Sequence, residues 1–162
     1  LLISGLGGTH TEWSVIQSLL SPHARVYSYD RAGYGLSTPS PLPPPTARNR
    51  ISELTSLLTT ANIPPPYILV GHSYGGVLIR EFLRVHTSTN VVGMVLLDSW
   101  RWANPLPAGW TRLLGPGGWA GFYAVVGVEQ RHRSSNPEWA EIKAGEERDG
   151  EMMMMRGERR GL

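Results

Sequence analysis

One stretch constrains this chain more than any other: Gly71-His72-Ser73-Tyr74-Gly75-Gly76, set between an apolar run and an amphipathic one. Pro66-Tyr67-Ile68-Leu69-Val70 before it is short, apolar and β-branched, which predicts a buried strand. After it, Val77, Leu78, Ile79, Phe82 and Leu83 recur at helical spacing among Arg80, Glu81 and Arg84. A backbone that leaves a strand, turns sharply and enters a helix needs a missing Cβ where the two elements approach. Gly71 and Gly75 stand two positions either side of Ser73 and meet that need. The serine takes the strained apex. The first amides of the following helix point toward it and favour negative charge there. Strand, Gly-x-Ser-x-Gly turn and helix together have the form of a nucleophile elbow.

The rest of the chain repeats strand and helix around that turn. Leu1-Leu2-Ile3 reads as a strand and Ser4-Gly5-Leu6-Gly7-Gly8-Thr9 as the turn leaving it. Trp13, Ile16, Leu19 and Leu20 fall on one face of a short helix that ends at Ser21-Pro22. Arg25 to Tyr29 reads as a second strand closing in Asp30, followed by the loop Arg31 to Ser37 and an irregular proline cluster, Pro39 to Pro45. Ile51, Leu54, Leu57, Leu58 and Ala61 form a helical stripe between Thr46 and Ala61, stopped by Pro64-Pro65-Pro66. Val91 to Leu97 is a fourth strand, ending at Asp98. Such alternation predicts a parallel sheet with right-handed crossovers, helices on its faces, and a site built from loops at the strands' carboxyl ends.

Three regions are expected: an α/β core over residues 1–100, a cap-like region over 101–143 rich in tryptophan, glycine and proline, and a charged, disordered tail over 144–162 that contains Met152 to Met155. The 162 residues suffice for one domain with a core. A net charge of +2 with acids and bases interspersed does not mark a nucleic-acid binder. There is no cysteine, hence no disulfide and no thiolate metal site. No run approaches the ~20 apolar residues of a membrane span. Gly71 to Val77 lacks the Gly-Lys-Ser/Thr ending of a phosphate-binding loop, and Gly5-x-Gly7 has His10 rather than glycine three positions on. No cofactor and no metal is expected.

The segments Ser4-Gly5-Leu6-Gly7, Asp30-Arg31-Ala32-Gly33-Tyr34-Gly35-Leu36-Ser37, Gly71-His72-Ser73-Tyr74-Gly75-Gly76 and Leu96-Leu97-Asp98 occur in that order. Together they resemble the N-terminal half of an α/β-hydrolase of the ester- and amide-cleaving kind, over roughly Leu1 to Trp100. The resemblance implies a partial α/β-hydrolase fold, a three-layer sandwich around a mostly parallel sheet. It implies Ser73 as nucleophile and the backbone amides of Leu6 and Tyr74 as an oxyanion hole, with an acid and a histidine later in the chain. It also implies a small-molecule acyl substrate: an ester, thioester or related compound. A serine rather than an aspartate at position 73 separates the chain from the dehalogenase and epoxide-hydrolase branches.

The chain departs from the family pattern in three places. Ser4 stands where a histidine is usual, and the first strand corresponds to the family's third. The third departure is the missing base. After Ser73 only His86 and His132 follow. His86 lies about thirteen residues along the elbow helix, roughly 20 Å from the serine. His132 sits in the polar Arg131-His132-Arg133, and His72 is expected to turn from the site into supporting structure. Asp98 is a candidate acid, against a plain turn role. The expectation is therefore an incomplete serine hydrolase, inactive as this chain stands, with the tail from about Ala144 as a read-through or frame-shifted end. The alternative is a non-catalytic module that binds a small apolar ligand.

Overall fold

The computed structural model describes residues 1–42, 45–86 and 90–100, with 135–137, 139, 140 and 144 beyond them. The expected cap-like region and tail, and His132 with them, lie outside the described residues but for those few positions.

Strands β1 (Leu2–Ile3), β2 (Tyr67–His72) and β3 (Val91–Leu97) form a parallel sheet in that spatial order. Between β2 and β3 the chain runs through helix α3 (Gly75–Val85), the crossover that parallel neighbours require. Leu2 lies opposite Val70, and Leu69 opposite Met94. Helix α2 (Ala47–Thr60) packs on α3, so that Ile51, Leu54 and Leu58 meet Val77, Ile79 and Phe82 above Ile3 and Leu69 of the sheet. Thr46 begins α2 by accepting the Asn49 N–H on its hydroxyl at 3.1 Å. Of the expected α2 stripe, Leu57 and Ala61 remain exposed.

One sequence expectation fails here. The strand read over Arg25 to Tyr29 is a single parallel bridge, Leu2 opposite Ser28, with the Leu2 N–H donating to the Tyr27 carbonyl at 2.8 Å. The described sheet therefore has three strands rather than four. β1 has two residues and offers the 25–29 segment almost no ladder. Gln17 holds that segment instead: its amide donates to the Val26 carbonyl at 3.1 Å and accepts from the Ser28 hydroxyl at 2.8 Å.

Helix α1 (Ser14–Leu20) forms where it was read, but its apolar side is largely uncovered. Trp13 is 2% exposed, but Ile16, Leu19 and Leu20 are 37%, 67% and 41% exposed. Leu20, with Val26, Ile68, Val70 and Val95, lines an open apolar cleft, so helix and sheet stand apart on this side. Trp13 is buried because it is pinned from within, its indole N–H donating to the Ser4 hydroxyl at 2.9 Å.

Tyr29 carries a pH dependence. The residue is half-buried but its hydroxyl is enclosed without a hydrogen bond, and burial pushes its pKa up to about 12, against the opposing pull of Arg31 and Arg50. The folded form holds a proton that the unfolded chain releases near pH 10. This contribution to stability is complete below about pH 10 and is lost as pH rises toward 12. Melting temperature is expected to fall over that window, and Tyr29→Phe to remove part of the slope; equal slopes for both proteins would refute the assignment.

Candidate functional site

Ser73 has φ +48°, in the left-handed region that a residue with a side chain seldom adopts. Neighbouring backbone holds it there. The Ser73 N–H donates to the Leu97 carbonyl at 3.0 Å, and the Ser73 carbonyl accepts from the Trp100 N–H at 3.0 Å. The flanking glycines meet the expected close approach. A Cβ on Gly71 would lie 2.7 Å from the Gly75 carbonyl carbon, and one on Gly75 would lie 2.2 Å from the Ile3 carbonyl oxygen. Gly76 has a similar constraint that the sequence did not signal, since its Cβ would fall 2.4 Å from the Ser99 hydroxyl. That hydroxyl donates to the Gly71 carbonyl at 3.0 Å. The Ser73 hydroxyl itself makes no hydrogen bond with the described residues.

The Ser4–Thr9 loop lies against the elbow: a Cβ on Gly5 would be 3.4 Å from the Ser73 Cβ. Ser4 anchors the loop internally, donating to the Thr9 carbonyl at 2.8 Å while it accepts from Trp13. The guanidinium of Arg31, only 3% exposed, reaches into the loop from below. It donates to the Ser4 carbonyl at 2.8 Å, to Gly5 at 2.6 Å and to Gly8 at 3.4 Å. In a trans peptide the carbonyl and the following N–H point in opposite directions. The carbonyl of Gly5 is turned to Arg31, so the Leu6 N–H is turned away from it. Neither Leu6 nor Gly7 donates its N–H to any described residue. The Gly5 N–H donates to the Glu12 carboxylate at 3.0 Å.

Arg31 belongs to the Asp30–Ser37 loop, which is fixed from two further sides. Its guanidinium lies 4.4 Å from the centre of the buried Tyr34 ring, and the Arg50 guanidinium from α2 lies 5.4 Å from the same ring. Arg50 also donates to the Ala32 carbonyl at 2.8 Å. The Asp30 carboxylate takes the His10 N–H at 2.7 Å and the His10 Nδ1 at 3.0 Å, and fills the space that Gly35 leaves.

The described histidines are distributed around this site without bonding Ser73. His10 begins the 3-10 turn His10–Trp13 and pairs with Asp30, and His23 lies in an exposed turn. His72 Nδ1 is hydrogen-bonded to Glu12. His86 closes the far end of α3, where its Nε2 meets the Thr55 hydroxyl at 2.8 Å and its ring packs on Phe82. Asp98 ends β3 with φ +43°, and its carboxylate bonds to none of the described residues. Tyr74 stands at the N-terminal end of α3, largely buried, with its ring 5.8 Å from the Arg31 guanidinium. Sequence reasoning missed Arg31 and Glu12. A charged residue beside a glycine loop signals nothing until the fold brings 27 residues of separation to one hydrogen bond, as between Arg31 and Ser4. Among the described residues no group of His, Asp or Glu could hold a metal ion, and no helix is long and apolar enough to cross a membrane.

A parallel sheet crossed by helices, with a serine on a glycine-flanked strand-to-helix turn, defines an α/β fold with its candidate site at the strands' carboxyl ends. The chain belongs to the alpha/beta hydrolase family, which it matches over residues 1–157. It is 42% identical over 97 residues to an AB hydrolase superfamily protein of Gibberella zeae, a match covering 59% of this chain and 30% of that protein. It is 37% identical over 95 residues to the uncharacterised protein YqjL of Bacillus subtilis, covering 59% of this chain and 37% of that one. The chain thus spans about a third of the length of these curated relatives. Among solved structures it resembles a thermophilic esterase from Thermogutta terrifontis, with TM-score 0.66 and 22% identity over 96% of this chain and 57% of that one. Cfl2 from Burkholderia cenocepacia gives TM-score 0.69 and 20% identity over 99% and 63%. At these identities the structures speak for the fold alone.

Proposed function

We propose that this chain carries the nucleophile half of a serine hydrolase acting on a small-molecule ester, thioester or related acyl compound. Ser73 Oγ attacks the acyl carbon and the carbonyl π electrons move to oxygen, while the hydroxyl proton passes to a base that none of the described residues supplies and from it to the leaving oxygen or sulfur. The resulting oxyanion accepts hydrogen bonds from the Leu6 and Tyr74 amides. Collapse expels the alcohol or thiol and leaves an acyl-enzyme on Ser73, which water then cleaves. The observation that carries this reading is the left-handed φ of +48° at Ser73, which presents its hydroxyl at the apex of the turn. The Leu6 N–H, which bonds no described residue and lies in the loop next to the elbow, supports the second role.

A second reading has one observation in its favour. Among the described residues no imidazole bonds the Ser73 hydroxyl, and a serine without a base is a weak nucleophile at neutral pH. On that reading the chain binds a small apolar ligand and does no chemistry, and Asp98 is a turn residue rather than the catalytic acid. A fluorophosphonate probe separates the two. The wild-type chain is expected to take up the probe slowly and the folded Ser73→Ala variant not at all. Uptake unchanged in Ser73→Ala, or absent from the folded wild type, would leave only the binding reading.

A further inference from the structure

Glu12 has no part in the reaction sketched above, yet its carboxylate bonds two different parts of the site. One oxygen accepts the Gly5 N–H at 3.0 Å, and the other is hydrogen-bonded to Nδ1 of His72, the residue before Ser73. The carboxylate fits in the room that Gly8 leaves, since a Cβ there would lie 2.3 Å from the nearer oxygen. On the far side of the loop Arg31 holds the Ser4 and Gly5 carbonyls. Successive peptide planes explain the pairing. The 4–5 peptide has its carbonyl on Arg31 and its N–H on Glu12. The 5–6 peptide has its carbonyl on Arg31, and its Leu6 N–H is therefore turned to the side from which Glu12 comes. Arg31 fixes which way the loop's peptides point, and its guanidinium lies 5.8 Å from the ring of Tyr74 in the elbow. Glu12 hydrogen-bonds the loop at Gly5 and the elbow at His72.

We infer that Glu12 is a positioning residue, a strut that sets the separation between the Leu6 amide and the Ser73 hydroxyl before substrate arrives. This rests on the reading of Ser73 as nucleophile and of Leu6 N–H as a donor to the oxyanion. The role needs reach and two hydrogen-bonding ends rather than charge, because a negative charge near a developing oxyanion opposes it. Glutamine supplies both ends: its oxygen accepts from Gly5, and its N–H donates to His72 Nδ1 in the imidazole's other tautomer. Aspartate keeps the charge but is one methylene too short to span the gap.

The test compares Glu12→Ala, Glu12→Asp and Glu12→Gln in the full chain, by amide hydrogen exchange at Gly5 and by the rate of fluorophosphonate labelling at Ser73. Loss of the acceptor in Glu12→Ala is expected to speed Gly5 exchange by about tenfold, the weight of one hydrogen bond. Labelling is expected to slow by about tenfold with its final extent unchanged, as for a displaced oxyanion donor. Glu12→Asp should behave as alanine does, and Glu12→Gln should return to within about threefold of wild type in both measurements. The inference is overturned if glutamine fails while aspartate succeeds, or if Glu12→Ala frees Gly5 and leaves the labelling rate unchanged. If the wild type takes up no label, the nucleophile reading has failed separately. Gly5 exchange and the His72 imidazole shifts then decide on the strut alone: a joint response to Glu12→Ala that glutamine reverses upholds it, and no response removes it.

Discussion

Gly75→Ala is expected to lower stability by roughly 3 kcal/mol or more, at the upper end of overpacking costs. The new Cβ would sit 2.2 Å from the Ile3 carbonyl oxygen, 3.0 Å from its carbon and 3.2 Å from the Ser4 carbonyl oxygen. These are main-chain atoms at the end of β1, held by the ladder to β2, and they cannot swing aside as the tip of a flexible side chain does. Helix propensity acts in the opposite direction, favouring alanine over glycine by about 1 kcal/mol, and is outweighed. Urea denaturation followed by circular dichroism measures the difference. Gly93→Ala is the control: its Cβ would meet only Ile68 carbons, at 3.8 and 4.0 Å, so a change within about 1 kcal/mol is expected. A Gly75→Ala midpoint equal to that of wild type would mean that strand and helix do not approach as described.

The second large effect is at Arg31. Methionine there preserves much of the apolar stem and removes the guanidinium, leaving the buried Ser4 carbonyl without its donor and the Gly5 carbonyl with the Gly8 N–H alone. The expected loss is roughly 3 kcal/mol, from one unsatisfied acceptor and the lost charged hydrogen bonds rather than from lost ion pairing, because no described carboxylate pairs with Arg31. Arg31→Lys should recover less than half of it. A single ammonium cannot reproduce the fork that reaches Ser4 and Gly5 together while its plane lies over the Tyr34 ring. Thermal unfolding gives the magnitude, and hydrogen exchange across residues 4–9 gives the location. An Arg31→Met protein as stable as wild type, or one whose loosening is spread evenly over the sheet, would contradict the assignment.

What could be read from the sequence was what is local. The elbow was legible because strand, turn and helix lie within one short stretch, and because Gly71 and Gly75 have a steric reason that needs no knowledge of the rest of the fold. Helix α2 was legible from its apolar period and from Thr46 and the prolines that bound it. The segment from Arg25 to Tyr29 was misread because its apolar, aromatic pattern is that of a strand, whereas pairing depends on a neighbour, and β1 offers two residues. The stripe of Ile16, Leu19 and Leu20 has helical spacing, and α1 is a helix, but periodicity cannot say how closely the opposing surface approaches. Within the candidate site the motif and the family resemblance pointed to Ser73 and to the Leu6 and Tyr74 amides. Arg31 and Glu12 act across 27 and 60 residues of chain, to Ser4 and His72, and no spacing rule covers such distances.

Two of the three hydrogen bonds of Ser73's own backbone, the two that leave the elbow, have a mechanical meaning. A left-handed φ on a residue with a side chain costs about 1–3 kcal/mol, and two net hydrogen bonds contribute about 1 kcal/mol each, so the two quantities nearly balance. One bond goes to the Leu97 carbonyl and the other comes from the Trp100 N–H. The serine is therefore cocked by the last residue of β3 and the residues just after it, like a latch held by its catch. Displacing residues 97–100 lets residue 73 relax toward ordinary backbone angles and withdraws its hydroxyl from the apex. Any force on the chain just beyond Trp100 is thus transmitted to the serine through two peptide groups, without a side chain between them.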